Sequence, residues 1–101
     1  MPRWIALFED NRDETAGWVR KQHDREHFAY LAKHADKIKI GGGLCNNPGE
    51  CFVGGLWVLE VRDRDEAVRL CEDDPYFRLG LRKSYRLYTW DKAPNYGDVL
   101  L

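Results

Sequence analysis

Ile38-Lys39-Ile40-Gly41-Gly42-Gly43, then Asn46-Asn47-Pro48-Gly49, then Phe52-Val53-Gly54-Gly55-Leu56-Trp57-Val58-Leu59-Glu60-Val61 occupies the middle of the chain. Ile38 and Ile40 alternate with lysines, which predicts a strand. Asn46-Asn47-Pro48-Gly49 is a turn signal, because these residues preset or tolerate turn backbone angles. Phe52–Val61 is rich in β-branched and aromatic residues and predicts a returning strand. Gly54-Gly55 inside it points to a bulge or a close backbone approach. Working outward, Trp4-Ile5-Ala6-Leu7-Phe8 is a short apolar run ended by Glu9-Asp10-Asn11, the pattern of a buried first strand. Asn11 with Glu14 three residues on fits a helix N-cap and its reciprocal glutamate. A long helix is expected from about Arg12 to about Asp36, with Gly17 the residue of weakest propensity. On the other side, Asp63 with Glu66 repeats the capping pattern and starts a helix from Arg64 to about Cys71. Pro75 opens a further helical turn through Leu79, which Gly80 ends. Tyr85–Trp90 alternates as a fourth strand, and the last ten residues read as an extended tail. The order is β-α-β-β-α-β, which predicts an α+β, ferredoxin-like fold. In it, a four-stranded antiparallel sheet carries two helices on one face.

Both phases of the third and fourth strands carry apolar or aromatic residues: Phe52 with Leu56, Trp57 with Leu59, Tyr85 with Leu87, Tyr88 with Trp90. A sheet apolar on both faces needs cover on the second, so a homodimer packed sheet to sheet is expected.

The 101 residues amount to a single domain, with its core over about residues 3–91 and a tail over 92–101. Sixteen basic and seventeen acidic side chains leave a net charge of −1. That balance speaks against nucleic-acid binding and against a polybasic membrane anchor. No apolar run approaches the ~20 residues that span a bilayer. Met1-Pro2-Arg3-Trp4 lacks the apolar stretch of a signal peptide, so a cytoplasmic protein is expected. Its three cysteines, Cys45, Cys51 and Cys71, are odd in number and form no C-x-x-C pair. They are expected as reduced thiols.

All three histidines lie on the long helix. At ~100° per residue His23, His27 and His34 fall within roughly 40° of one another, with His27 nearest the apolar stripe. Three readings follow: boundary histidines, a metal site from the i, i+4 pair His23 and His27, or acid/base chemistry with a carboxylate. The helical H-E-x-x-H pattern is absent, because Asp24 follows His23, and no metal is expected. The carboxylate candidate is Asp74. Standing before Pro75 it fits a helix N-cap. Two helices side by side on one sheet face also allow it to meet His27, fix its tautomer and raise its basicity. Gly41-Gly42-Gly43 is followed by a turn instead of a helix, so it is not a phosphate loop. Ser84 is the only serine and no G-x-S-x-G occurs, which speaks against a serine hydrolase. Arg78, Arg82, Lys83 and Arg86 read as solvated side chains, one of them available to an anionic substrate.

Two stretches resemble the YCII-related family. They are His27-Phe28-Ala29-Tyr30-Leu31, continuing through Ile38 to Gly41-Gly42-Gly43-Leu44, and Asp74-Pro75-Tyr76-Phe77-Arg78-Leu79-Gly80-Leu81. The resemblance spans about residues 3–91 and implies a dimeric α+β barrel of ferredoxin-like units, with no cofactor. It implies a histidine–aspartate active site, which maps onto His27 and Asp74. Where many members carry an arginine three residues before the histidine, this chain has Asp24, with Arg20 and Arg25 nearby. One activity in the family is dehydrochlorination of chlorinated hydroxyhydroquinones during catabolism of aromatic compounds. The resemblance therefore implies a cofactor-free lyase or isomerase with His27 as base and Asp74 as its orienting carboxylate. Tyr76, Tyr30, Trp57 and Trp90 are the expected aromatic walls, and Arg20 the expected substrate-side cation. A non-catalytic small-ligand-binding protein and a cofactor-free monooxygenase remain open as other uses of the same cavity.

Overall fold

The computed structural model describes residues 1–101, the side chain of Thr15 excepted. The elements follow the order β1 Arg3–Asp10, α1 Glu14–Lys33, β2 Ile38–Cys45, β3 Phe52–Glu60, α2 Arg64–Asp73, α3 Pro75–Arg78 and β4 Arg82–Thr89, with a 3₁₀ turn at Pro94–Tyr96. The strands form one four-stranded sheet in the order β2-β3-β1-β4, every neighbouring pair antiparallel. This is the ferredoxin-like arrangement.

Register follows from the period-2 alternation of each strand. Trp4, Ala6 and Phe8 of β1 oppose Leu59, Trp57 and Gly55 of β3, and Ala6 and Phe8 also oppose Leu87 and Tyr85 of β4. This face packs on Ala67, Leu70 and Cys71 of α2 and on Tyr30 and Leu31 of α1, forming the main core. A second buried group, Ala16 and Val19 of α1 with Tyr76 and Leu81, ties α1 to α3. On the opposite face Tyr88, Ile5, Val58 and Ile40 form a row across all four strands, with Leu7 and Leu56 beside it. Leu7, Ile40 and Tyr88 in that face are exposed.

Both ends of α1 differ from the pattern-based expectation. The N-cap of α1 is Asp13, whose carboxylate accepts from Ala16 N at 3.0 Å. Asn11 is engaged elsewhere: its amide nitrogen donates to Gly80 O and its backbone N–H to Leu81 O, both at 2.8 Å. Those bonds lock the β1–α1 connection to the chain entering β4, so the cap shifts two residues onward. At the far end α1 stops at Lys33, with His34 as C-cap, short of Asp36. Asp63 caps α2 through Glu66 N at 2.9 Å, as the capping pattern predicts. The strand β2 continues straight through Gly41-Gly42-Gly43, because these glycines pair with Trp57, Leu56 and Gly55 of β3. No helix among the described residues is long and apolar enough to cross a membrane.

Candidate active site

The site is built where the two helices meet over β1 and β3. Arg20 and His27 are seven residues apart on α1, which places them two turns apart on nearly the same face. Between them His23 departs from helical geometry, with φ −124° and ψ 16°. Asp74 closes α2 and opens α3. Its extended backbone, φ −62° and ψ 133°, is what a following proline requires. Its side chain makes no cap hydrogen bond. The carboxylate instead turns to α1, where Oδ1 lies 2.7 Å from His27 Nδ1. Asp74 is fully buried and His27 is 5% exposed. A carboxylate only accepts, so Nδ1–H is the donor and Nε2 is left as the basic nitrogen. Asp74 Oδ2 is buried without a partner, so this carboxylate is committed to the ring.

The imidazole stacks on Tyr76, with ring centroids 3.8 Å apart and planes 7° from parallel. Trp57 lies beyond at 6.3 Å. Burial pushes the Tyr76 phenol up from its ordinary range, so it remains a neutral hydroxyl beside the imidazole. His27, Tyr76 and Trp57 line a cavity of about 110 Å³ with Phe28, Leu31, Phe52, Arg20 and Arg82. Gly41, Gly42 and Gly43 form its backbone wall. A Cβ on Gly43 would stand 2.5 Å from the Phe52 ring, and one on Gly41 3.1 Å from Trp57. The glycines thus let β2 approach the aromatic side chains closely. A larger cleft of about 570 Å³ lies on the other side of Arg20 and Phe52, which line both spaces. It contains neither His27 nor Asp74.

Asp10 is the charged residue that pattern reading missed here, and Arg82 is one that it read as solvated. Asp10 is 3% exposed at the inner end of β1, and Arg82 is 6% exposed in β4. Arg82 is thus buried, contrary to its expected solvation. The Arg82 guanidinium donates to Asp10 Oδ1 at 2.7 Å, and Arg20 donates to Asp10 Oδ2. Gly55 leaves the space that Arg82 fills: a Cβ there would lie 2.9 Å from Nη2.

Two expected aromatic walls lie elsewhere. Tyr30 sits behind Trp57, and its hydroxyl donates to Leu70 O at 2.6 Å, tying α1 to α2. Trp90 follows β4 at the opposite end of the sheet, where its backbone N–H donates to Arg3 O. It lines a groove with Tyr96, Val99 and Leu101 of the tail. The other histidines do not join His27. His23 pairs with Glu26 at 3.1 Å and packs on Trp18, while His34 caps α1 and packs on Tyr30. Among the described residues no three His, Cys, Asp or Glu side chains gather as a metal site. Cys45 and Cys51 are exposed free thiols and Cys71 a buried one.

No curated protein matches this chain. Among solved structures, it is similar to 5-chloro-2-hydroxyhydroquinone dehydrochlorinase from Burkholderia phenoliruptrix, in complex with 2,5-dihydroxybenzoquinone. The TM-score is 0.80 and the identity 22%, over 92% of this chain and 97% of that one. It also matches a dimeric ferredoxin-like protein of unknown function from Bacteroides fragilis, with a TM-score of 0.49 and 20% identity over 89% and 94% of the two chains. The model of the YCII-related domain matches residues 3–91, from the first strand to just beyond the last. By that match across nearly its whole length, the chain belongs to the YCII-related family.

Proposed function

We propose that this protein is a cofactor-free lyase that removes HCl from a chlorinated hydroxyhydroquinone, with His27 as the proton-transfer group and Asp74 as the carboxylate that orients it. One observation carries the reading: a buried imidazole held at Nδ1 by a buried carboxylate 2.7 Å away, on the wall of an aromatic cavity. The orienting bond leaves Nε2 basic and stabilises the imidazolium that forms when it takes a proton. Support also comes from the fold shared with a dehydrochlorinase whose bound molecule is a hydroxylated quinone.

The chemistry needs no external oxidant. His27 takes the proton of a ring hydroxyl, and the ring ketonises as a proton is returned to the carbon that carries chlorine. A second hydroxyl, conjugated to that carbon, then loses its proton while the C–Cl bond breaks and chloride leaves with the electron pair. The ring ends as a hydroxyquinone, and one proton and one chloride are released. Tyr76 and Trp57 supply flat apolar walls for such a ring.

The working unit in this reading is a homodimer. The row Tyr88, Ile5, Val58 and Ile40, with Leu7 and Leu56, is an apolar sheet face that the helices leave uncovered, and a second copy covers it. Leu7→Lys at its centre is expected to shift sedimentation from dimer to monomer. An unchanged dimer would place the interface elsewhere.

The activity test follows chloride release and oxygen uptake together. The wild type is expected to release chloride and consume no oxygen, and His27→Gln to be slower by about 100-fold or more. Undiminished chloride release by the variant refutes the role of His27. Oxygen uptake in step with turnover would assign a monooxygenase. Thermal stabilisation by the ring compound without turnover would assign a binding protein.

A further inference from the structure

We propose that Asp10, Arg20 and Arg82 form the anion-binding end of this cavity, and that it holds an ionised ring oxygen of the substrate. The proposal rests on the function proposed above and names the chemical form in which that substrate binds. One carboxylate faces two guanidiniums, with Oδ1 accepting from Arg82 and Oδ2 from Arg20. The cluster therefore carries an excess positive charge. Asp10 and Arg82 are almost wholly buried, and Arg20 is partly so, with its side chain 25% exposed. A buried excess charge is costly unless a counter-ion or water meets it. Both arginines line the cavity that His27 lines, and Arg82 Nε is a buried donor with no hydrogen-bond partner.

The surroundings fix these cations in place. The Arg82 guanidinium lies 4.6 Å from the Phe8 ring centre and the Arg20 guanidinium 4.6 Å from that of Phe52. Both also lie against Tyr76, at 5.2 and 5.3 Å. His27 stacks on that same ring at 3.8 Å, so the base and the two cations share one aromatic neighbour. A flat ring entering the cavity therefore meets both a proton acceptor and N–H donors among its lining side chains. Asp10 uses one nitrogen of each guanidinium, which leaves further N–H groups for an incoming oxygen anion. Removal of a hydroxyl proton creates that anion. Donors already in position stabilise it without reorganising, which favours the ionised form over the neutral one.

The test compares a ring that is anionic at neutral pH, 2,5-dihydroxybenzoquinone, with its neutral dimethyl ether. Binding is read from intrinsic tryptophan fluorescence and by calorimetry on the full-length protein. The wild type is expected to prefer the anion. Arg20→Gln should weaken anion binding by about tenfold or more and leave the ether unchanged. Arg20→Lys, which keeps the charge, should recover part of the loss. Arg20 is the position of choice because its side chain is the most exposed of the three, so its replacement disturbs the core least, and unchanged circular dichroism checks that the fold is kept. Equal binding of anion and ether by the wild type, or undiminished anion binding by Arg20→Gln, overturns the proposal. The two readings fail separately. Turnover that depends on His27 but not on Arg20 sinks the anion subsite alone. Charge-selective binding without any chloride release sinks the lyase alone.

Discussion

The His27–Asp74 pair makes a quantitative prediction about stability that needs no substrate. His27→Leu keeps most of the ring volume but removes the only partner of a fully buried carboxylate. Taking away the one partner of a buried carboxylate costs about 3–5 kcal/mol, because the remaining charge is left uncompensated. For a domain of this size each kcal/mol moves Tm by about 4–8 °C, so Tm should fall by at least about 12 °C. Asp74→Ala removes the charge and leaves only a neutral N–H without its acceptor, at a cost of about 1–3 kcal/mol. No cap bond is lost with it, because the Asp74 side chain makes none. The double variant His27→Leu with Asp74→Ala leaves no buried charge and little net change in volume. Its stability should return to within about 1 kcal/mol of the wild type. The assay is a double-mutant cycle by urea and thermal unfolding at pH 7, followed by circular dichroism. The expected signature is strong non-additivity, with the double variant more stable than His27→Leu alone. A His27→Leu variant as stable as the wild type, or effects that simply add, would refute the pairing in solution. A recovered double variant that has lost all turnover would show that the pair is kept for chemistry at the expense of stability.

Three further outcomes are expected. Gly54→Ala should destabilise by several kcal/mol or prevent folding, since its Cβ would stand 2.1 Å from the Phe8 carbonyl oxygen. Gly42→Ala, with nothing within 4 Å, serves as the control, and equal melting curves for the two would contradict the close β1–β3 approach. Tyr30→Phe should cost about 1 kcal/mol through loss of the bond to Leu70 O and leave turnover unchanged, whereas a large fall in kcat would return Tyr30 to the cavity wall. Lys37, and then Arg62, hold the Glu66 carboxyl down at about 2 from an ordinary 4.5. A depressed carboxylate contributes its stability above the unfolded value and loses it as pH falls from about 4.5 towards 2. Tm of Glu66→Gln should therefore decline less steeply than wild type over that window, and parallel declines would show that the contacts are not made.

The fold was legible because each element carries its own local signal. The Asn46–Gly49 turn sets β2 against β3, and Asp63 caps α2. The two apolar phases of the sheet told of a buried face and an uncovered one. His27 was legible as well, since helical phase turns it inward, and Asp74 was legible as a carboxylate that two helices on one sheet face allow to meet it, a pairing that the resemblance also implies. The aromatic walls were less so, because residue type says nothing of distance along a strand. Trp90 stands eight residues beyond Arg82, and at ~3.3 Å per residue that separates it from the site by about 26 Å. Tyr30 is one turn from His27, but its hydroxyl is taken up by α2.

Asp10 and Arg82 show what strand phase can reveal about charge. Trp4, Ala6, Phe8 and Asp10 share one phase of β1, and the first three are core residues. Asp10 therefore points inward, although its place at the end of an apolar run makes it look like the start of a loop. An inward carboxylate needs a cation opposite it, and the antiparallel β1–β4 pairing sets Arg82 there. Gly55, across the sheet, then explains itself as the gap that lets an arginine side chain lie among core residues. An acidic residue in the core phase of a strand, an arginine where its neighbouring strand begins and a glycine on the other neighbour together mark a buried charge cluster. In this chain they place it beside the one buried histidine, where a negatively charged intermediate is formed in the proposed reaction.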